Sequence, residues 1–175
     1  GTRVVSRGEP PTYQSVAILS GAALGYPVGA ACFVPHRCAS EVRDFSADRS
    51  VVVGTSQVPA QGQPMPPTDP TLFDTGFVYT QSEGMLRLPD LPGGPEASGA
   101  YAISASGQII AGFGTDAAGK TATVWVDRVP TTLRELLVAR GGVIPAGWKL
   151  DAIVAMSDDG RTLVVHSLDL EIRRG

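Results

Sequence analysis

The chain is short of the residues that carry most protein chemistry. Among its 175 residues are two histidines, two cysteines and two lysines, and aromatic residues make up 6%. With only Lys120 and Lys149, scattered arginines and a net charge of −3, no basic patch forms. That excludes nucleic-acid binding by phosphate neutralisation and attachment to a membrane through a polybasic surface. With His36 and His166 as the only imidazoles, and no Gly-x-Ser-x-Gly elbow, there is little from which to build a hydrolytic triad. No Asp-x-Asp-x-Asp-Gly calcium loop occurs, and no cofactor or metal is expected. A long uncharged stretch, residues 16–34, is interrupted by Gly21, Gly25, Pro27 and Gly29, which speaks against a spanning helix or a leader.

What the chain has is turns and β-branched runs. Its 21 glycines and 14 prolines are spread between short stretches rich in valine and isoleucine, the pattern of many short strands. One motif occurs three times, at Phe45–Gly54, Ile103–Gly112 and Met156–Val165. Each copy is an apolar residue, a serine, a small turn and an apolar, mostly β-branched run. A period of roughly 55 residues points to stacked supersecondary units. Around the second copy, Phe77–Thr80, Met85–Leu88, Tyr101–Ser104 and Gln108–Gly112 read as four strands. Thr123–Val126, Leu133–Leu137, Ala152–Met156 and Arg161–Val165 repeat them. The stretch from Thr131 to Gly141 also fits a short capped helix.

The sequence therefore predicts an all-β domain of three four-stranded antiparallel units: residues 3–57 with exchange of terminal strands (Arg3–Ser6 and Ser15–Leu19), 77–116 and 122–168. This is a β-propeller-like array, partial or closed into a ring by a second copy; a β-prism or small sandwich is the alternative. Residues 57–76 read as a proline-rich loop insertion. Gly114–Thr121 matches the phosphate-loop pattern Gly-x-x-x-x-Gly-Lys-Thr. The β-branched run that follows it cannot supply the helix such a loop requires, so it reads as a hairpin turn. Asp158-Asp159-Gly160 reads as a turn device too. Cys32 and Cys38 close a tight Pro-containing loop that suits a disulfide in an exported protein. A metal site of Cys32, His36 and Cys38 would lack a further ligand.

The motifs Ala102–Gly107, Val51–Ser56, Phe77–Thr80, Thr123–Val126 and, most specifically, Glu83–Gly94 resemble the HAF-type extracellular repeats of bacterial proteins. The resemblance covers roughly residues 42–168. It departs from the family pattern at Arg49, which stands where the turn glycine belongs, and at residues 20–41. The resemblance implies an exported, propeller-like repeat protein, extracellular or periplasmic, with no assigned chemistry.

The expected function is a non-catalytic binding or assembly module that recognises a protein or carbohydrate through its loops, or pairs as a homodimer. The candidate contact residues are Tyr26, His36, Arg37, Phe73, Tyr101 and Trp148. The alternative is a hydrolase of extracellular polymer, using carboxylates such as Asp44, Asp74 and Asp151 with His166.

Overall fold

A computed structural model describes residues 40–59 and 72–169. Their strands form three antiparallel sheets of four, four and two strands, and none closes on itself. The first sheet holds β1 (Ser40–Phe45), β2 (Val51–Pro59), β3 (Leu72–Thr80) and β4 (Gly84–Arg87) in sequential order. The second holds β5 (Gly99–Ile103), β6 (Ile109–Asp116), β7 (Gly119–Val126) and β8 (Val129–Thr132). The third pairs β9 (Trp148–Met156) with β10 (Leu163–Asp169).

The strands predicted from sequence are largely present, but their grouping is shifted. The stretch 77–116 is not one unit: β3 and β4 pair with β2, whereas β5 opens the next sheet. Each sheet thus begins on the strand before the repeated serine. Short turns follow β1, β3, β5, β6, β7 and β9 within their sheets, and the segments 88–98 and 133–147 cross between sheets. The third unit has two strands among the described residues, not four. The predicted insertion is partly strand, since Gln57, Val58 and Pro59 pair with Asp74, Phe73 and Leu72. The fourth strand of the second sheet is Val129–Thr132, and Leu133–Ala139 is helix α1. The Thr132 hydroxyl accepts from the Glu135 N–H (3.1 Å) and the Glu135 carboxylate accepts from the Thr132 N–H (3.0 Å), a capping box that starts the helix. The stretch 114–121 is a hairpin, with Asp116 paired to Gly119, and so has no helix on which a phosphate could sit.

Two apolar cores lie between successive sheets. Val53, Val78 and Leu88 of the first unit meet Ala100, Ile103, Ile110 and Trp125 of the second. Ala111, Ala122, Val124 and Leu133 then meet Ile153 of the third, with Leu136 and Leu137 of α1 packed alongside. The first strand of each later sheet carries the contact: β5 packs on β1, β2 and β3, and β9 on β5, β6 and β7.

The three serine turns are built alike. Ser46, Ser104 and Ser157 each accept, through Oγ, the N–H five residues on: Val51 (3.0 Å), Ile109 (3.1 Å) and Thr162 (2.9 Å). Each serine N–H donates back to the carbonyl of that same residue. Two residues after the serine, Asp48, Ser106 and Asp159 brace the turn from within. The next position has positive φ in all three: 61° at Arg49, 79° at Gly107 and 71° at Gly160. Arg49 thus occupies the left-handed position that glycine holds in the other copies. The turns also bond to one another. The Ala47 N–H donates to the Ala105 carbonyl (3.1 Å), and the Ala105 N–H donates to the Asp158 carbonyl (2.8 Å). Equivalent residues of three repeats therefore form a ladder across the sheets.

The Asp48 carboxylate accepts from the Ser50 N–H and from the hydroxyls of Ser46 and Ser50, which lowers its pKa from 3.8 to about 2. A depressed folded-state pKa stabilises the fold above the unfolded value, and that stability is lost as pH falls through the folded one. Acidification from pH 4 toward pH 2 is expected to weaken the first turn, with Asp48 titrating near 2 by NMR. Asp48→Asn is expected to flatten the pH dependence of stability in that window. An Asp48 midpoint near 3.8 would contradict the turn geometry.

Candidate functional site

All three leading strands carry a bulge at the same repeat position. The register of β1 with β2 shifts at Arg43, that of β5 with β6 at Tyr101, and that of β9 with β10 at Val154. A bulge inserts an unpaired residue and re-aims its side chain. Here it directs Arg43 and Tyr101 toward each other across two sheets. The Arg43 guanidinium lies 5.1 Å from the centre of the Tyr101 ring, an attractive cation–π geometry. Tyr101 also meets Phe113, with ring centres 5.6 Å apart and planes tilted by 49°. Phe113 is buried and Tyr101 half-buried, so only the tyrosine offers surface to a ligand. Lys120 Nζ stands 4.2 Å from the centre of the Phe113 ring.

Acidic groups border this platform. Glu41 pairs with Arg43 at 2.8 Å. Burial raises the pKa of the Tyr101 hydroxyl; the Arg43 charge opposes the rise, and Asp74 and Glu41 add to it. The phenol is therefore held neutral, as a donor and acceptor. Close by, the Thr55 hydroxyl is buried without a hydrogen-bond partner. The arrangement offers a tyrosine face, a guanidinium, an ammonium and carboxylates within one patch.

A second concave feature lies where the turns of the first two sheets meet. It is a groove of about 410 Å³, with Val51, Val78 and Ile110 lining it beside Ser106, Gln108 and Asp127. Arg128 grips both Glu83 oxygens across the two sheets, one of them at 3.0 Å. That pairing lowers the Glu83 pKa. Arg128 itself sits in a tight hairpin turn, with φ of 49° at Asp127 and 66° at Arg128.

The segment with the most specific repeat resemblance proves to be β4 and the start of the strap from the first sheet to the second. Met85, Leu88 and Leu91 are buried along it, and the Trp125 indole N–H donates to the Pro89 carbonyl at 2.8 Å. Arg87 reaches Glu96 and Thr75 at 3.0 and 3.1 Å. Burial raises the pKa of Asp90 in the same strap. These polar groups tie the strap down.

The predicted contact residues do not form one site. Tyr101 belongs to the platform. Trp148 begins β9, is exposed, and its carbonyl accepts from Arg134 of α1 at 3.1 Å. Phe73 is placed on β3 by its backbone pairing with Val58. Tyr26, His36, Arg37, Cys32 and Cys38 lie outside the described residues, as do the predicted strands 3–6 and 15–19. Arg43, Phe113 and Lys120 were not among the contact residues named from sequence. The signal for Arg43 was available, because it stands at the same distance before its serine as Tyr101 does.

Of the groups named for hydrolysis, Asp44 is structural: its carboxylate accepts the N–H groups of Ile103 and Phe45, each at 2.9 Å. Asp74 lies near Tyr101. Only Asp151 and His166 come together, with His166 Nδ1 3.9 Å from Asp151 Oδ2 and Lys149 Nζ 3.5 Å from Oδ1. That Oδ1 is buried and lacks a partner of hydrogen-bond geometry, so the Lys149 contact is electrostatic. No group of three or more metal-ligating side chains occurs among the described residues, and no described helix is long and apolar enough to cross a membrane.

No protein-family model matches the sequence, and no curated protein matches it. Among solved structures, Kuenenia stuttgartiensis hydrazine synthase is similar at a TM-score of 0.34 and 17% identity, over 75% of this chain. The match spans 46% of that protein's chain. A likeness of that size supports no statement about the activity of this chain.

Proposed function

We propose that this chain is a non-catalytic recognition module of an exported, propeller-like repeat protein, and that its ligand is a carbohydrate bound on the Tyr101 platform. The observation that carries the reading is the bulge-directed stack of Arg43, Tyr101 and Phe113. An amphipathic aromatic face flanked by fixed charged donors and acceptors suits a sugar ring, which has an apolar face and a hydroxyl rim. The bulge sets Tyr101 in place before any ligand arrives, which cuts the cost of ordering it. The repeat resemblance is the ground for the exported location and the ring-like arrangement of the sheets.

Calorimetric titration with a panel of neutral and acidic oligosaccharides tests the reading. At least one is expected to bind, and Tyr101→Ala is expected to weaken it about tenfold or more, with the fold intact by circular dichroism. Absence of binding across the panel, or binding indifferent to Tyr101→Ala, would overturn it. The Asp151–His166 pair favours a second reading, hydrolysis of such a polymer. In that case oligosaccharides are shortened on incubation, and His166→Ala abolishes the cleavage.

A further inference from the structure

The serine-turn ladder is open at both ends among the described residues. Ala47 donates to Ala105 and Ala105 to Asp158, which leaves the Asp158 N–H without a following carbonyl and the Ala47 carbonyl without a preceding N–H. The packing faces are open in the same way. Val53 and Ala111 occupy one repeat position, are fully buried and face the following sheet, whereas their counterpart Val164 is 54% exposed. Ala100 and Ile153 share another position and are fully buried against the preceding sheet, whereas their counterpart Val42 is only partly covered. Ile103 is 5% exposed and its counterpart Phe45 is 39% exposed.

One end thus presents the surface that the other end is shaped to cover. We propose that these two ends bind each other between two copies of this chain: β1 of one copy packs on the β9–β10 sheet of the other, as β5 packs on β2 and β9 on β6. The Asp158 N–H of one copy then donates to the Ala47 carbonyl of the next, and the ladder continues.

Charge and shape at the turns match this junction. Within the chain, a turn glycine rests on an aliphatic side chain of the unit before it. A Cβ at Gly107 would lie 3.0 Å from Val51 Cγ2, and one at Gly160 would lie 2.7 Å from Ile109 Cδ1. At the proposed junction the incoming residue is Arg49 and the seat is Thr162, which lacks the Cδ1 that Ile109 presents. That seat is the size of Val51, and the Arg49 guanidinium arrives beside Asp158 and Asp159, both exposed. Opposite charges placed this way set the register of an interface. Two copies joined at both ends make a closed assembly, whereas a rotation that does not close makes a filament.

Light scattering after size exclusion tests the proposal. The expected mass is twice the 18.2 kDa of one chain. Val164→Glu is expected to weaken association about tenfold or more, with an unchanged far-ultraviolet spectrum. Arg49→Glu and Asp158→Arg are each expected to give monomers that pair again when mixed, because each variant supplies the charge that the other lacks. A mass that grows with concentration and collapses with Val164→Glu supports the same junction without closure. A wild-type monomer at every concentration, or a dimer indifferent to Val164→Glu and to both charge reversals, would overturn the proposal and leave these faces to another segment or partner.

Discussion

Trp125→Ala is expected to destabilise the protein by about 3–5 kcal/mol, the range for emptying a tryptophan site in a core. Trp125 is fully buried and lies in the core between the first two sheets, against Val53, Val78, Leu88, Ala100, Ile103 and Ile110. Its removal leaves a cavity where two sheets meet and leaves the Pro89 carbonyl of the strap without its indole donor. Trp125→Phe separates the two effects. It keeps most of the apolar volume and loses the hydrogen bond, at about 1–3 kcal/mol. Urea denaturation followed by circular dichroism measures both. If Trp125→Ala and Trp125→Phe cost the same, the packing role is refuted and the hydrogen bond carries the site.

Gly112→Ala is expected to cost about 3 kcal/mol or more, at the upper end of the range for forcing atoms into a filled space. A Cβ there would stand 1.9 Å from the Gly99 carbonyl oxygen and 2.9 Å from its carbon, both backbone atoms that cannot rotate aside. The strands β5 and β6 must separate at the bulge that aims Tyr101. Loss of stability should therefore come with displacement of Tyr101, and with loss of the carbohydrate binding proposed for it. Gly54 repeats the situation in the first sheet, where a Cβ would meet the Glu41 carbonyl oxygen at 2.0 Å. The third repeat has Val165 at this position, and its pairing carries a second irregularity between His166 and Ser167. A Gly112→Ala protein as stable as wild type would show that the bulge is not closely packed.

Much of the repeat was legible in the sequence because its signals are local. The serine, the turn and the β-branched run recur with the same hydrogen bonds, and the misfit of Arg49 in the glycine position is visible as a positive φ. The Thr132–Glu135 capping box predicts the helix from four residues, and it takes Leu133–Leu137 out of the strand set. Which strands share a sheet was not legible, because that depends on pairing between segments and not on the composition of either. A unit started at Phe77 and one started at Gly99 contain the same kinds of strand. The lengths of the connections do not mark the division either, since 60–71 joins two strands of the first sheet and is as long as 88–98, which crosses over.

The Tyr101 platform was half legible. Tyr101 stands out as an aromatic residue in a small-residue strand. Its partners Arg43 and Phe113 come from a preceding sheet and a neighbouring strand, joined by a bulge that no spacing rule announces. Trp148, equally conspicuous in sequence, ends up beside α1 with no described contact to the platform.

The central claim is that equivalent turns of successive repeats are bonded into one ladder. Amide hydrogen exchange by NMR on the Val164→Glu variant tests it most directly. The Ala47 and Ala105 amides, which donate across sheets, are expected to exchange slowly, and the Asp158 amide, at the open end, to exchange fast. Equal, fast exchange at all three positions would contradict the ladder.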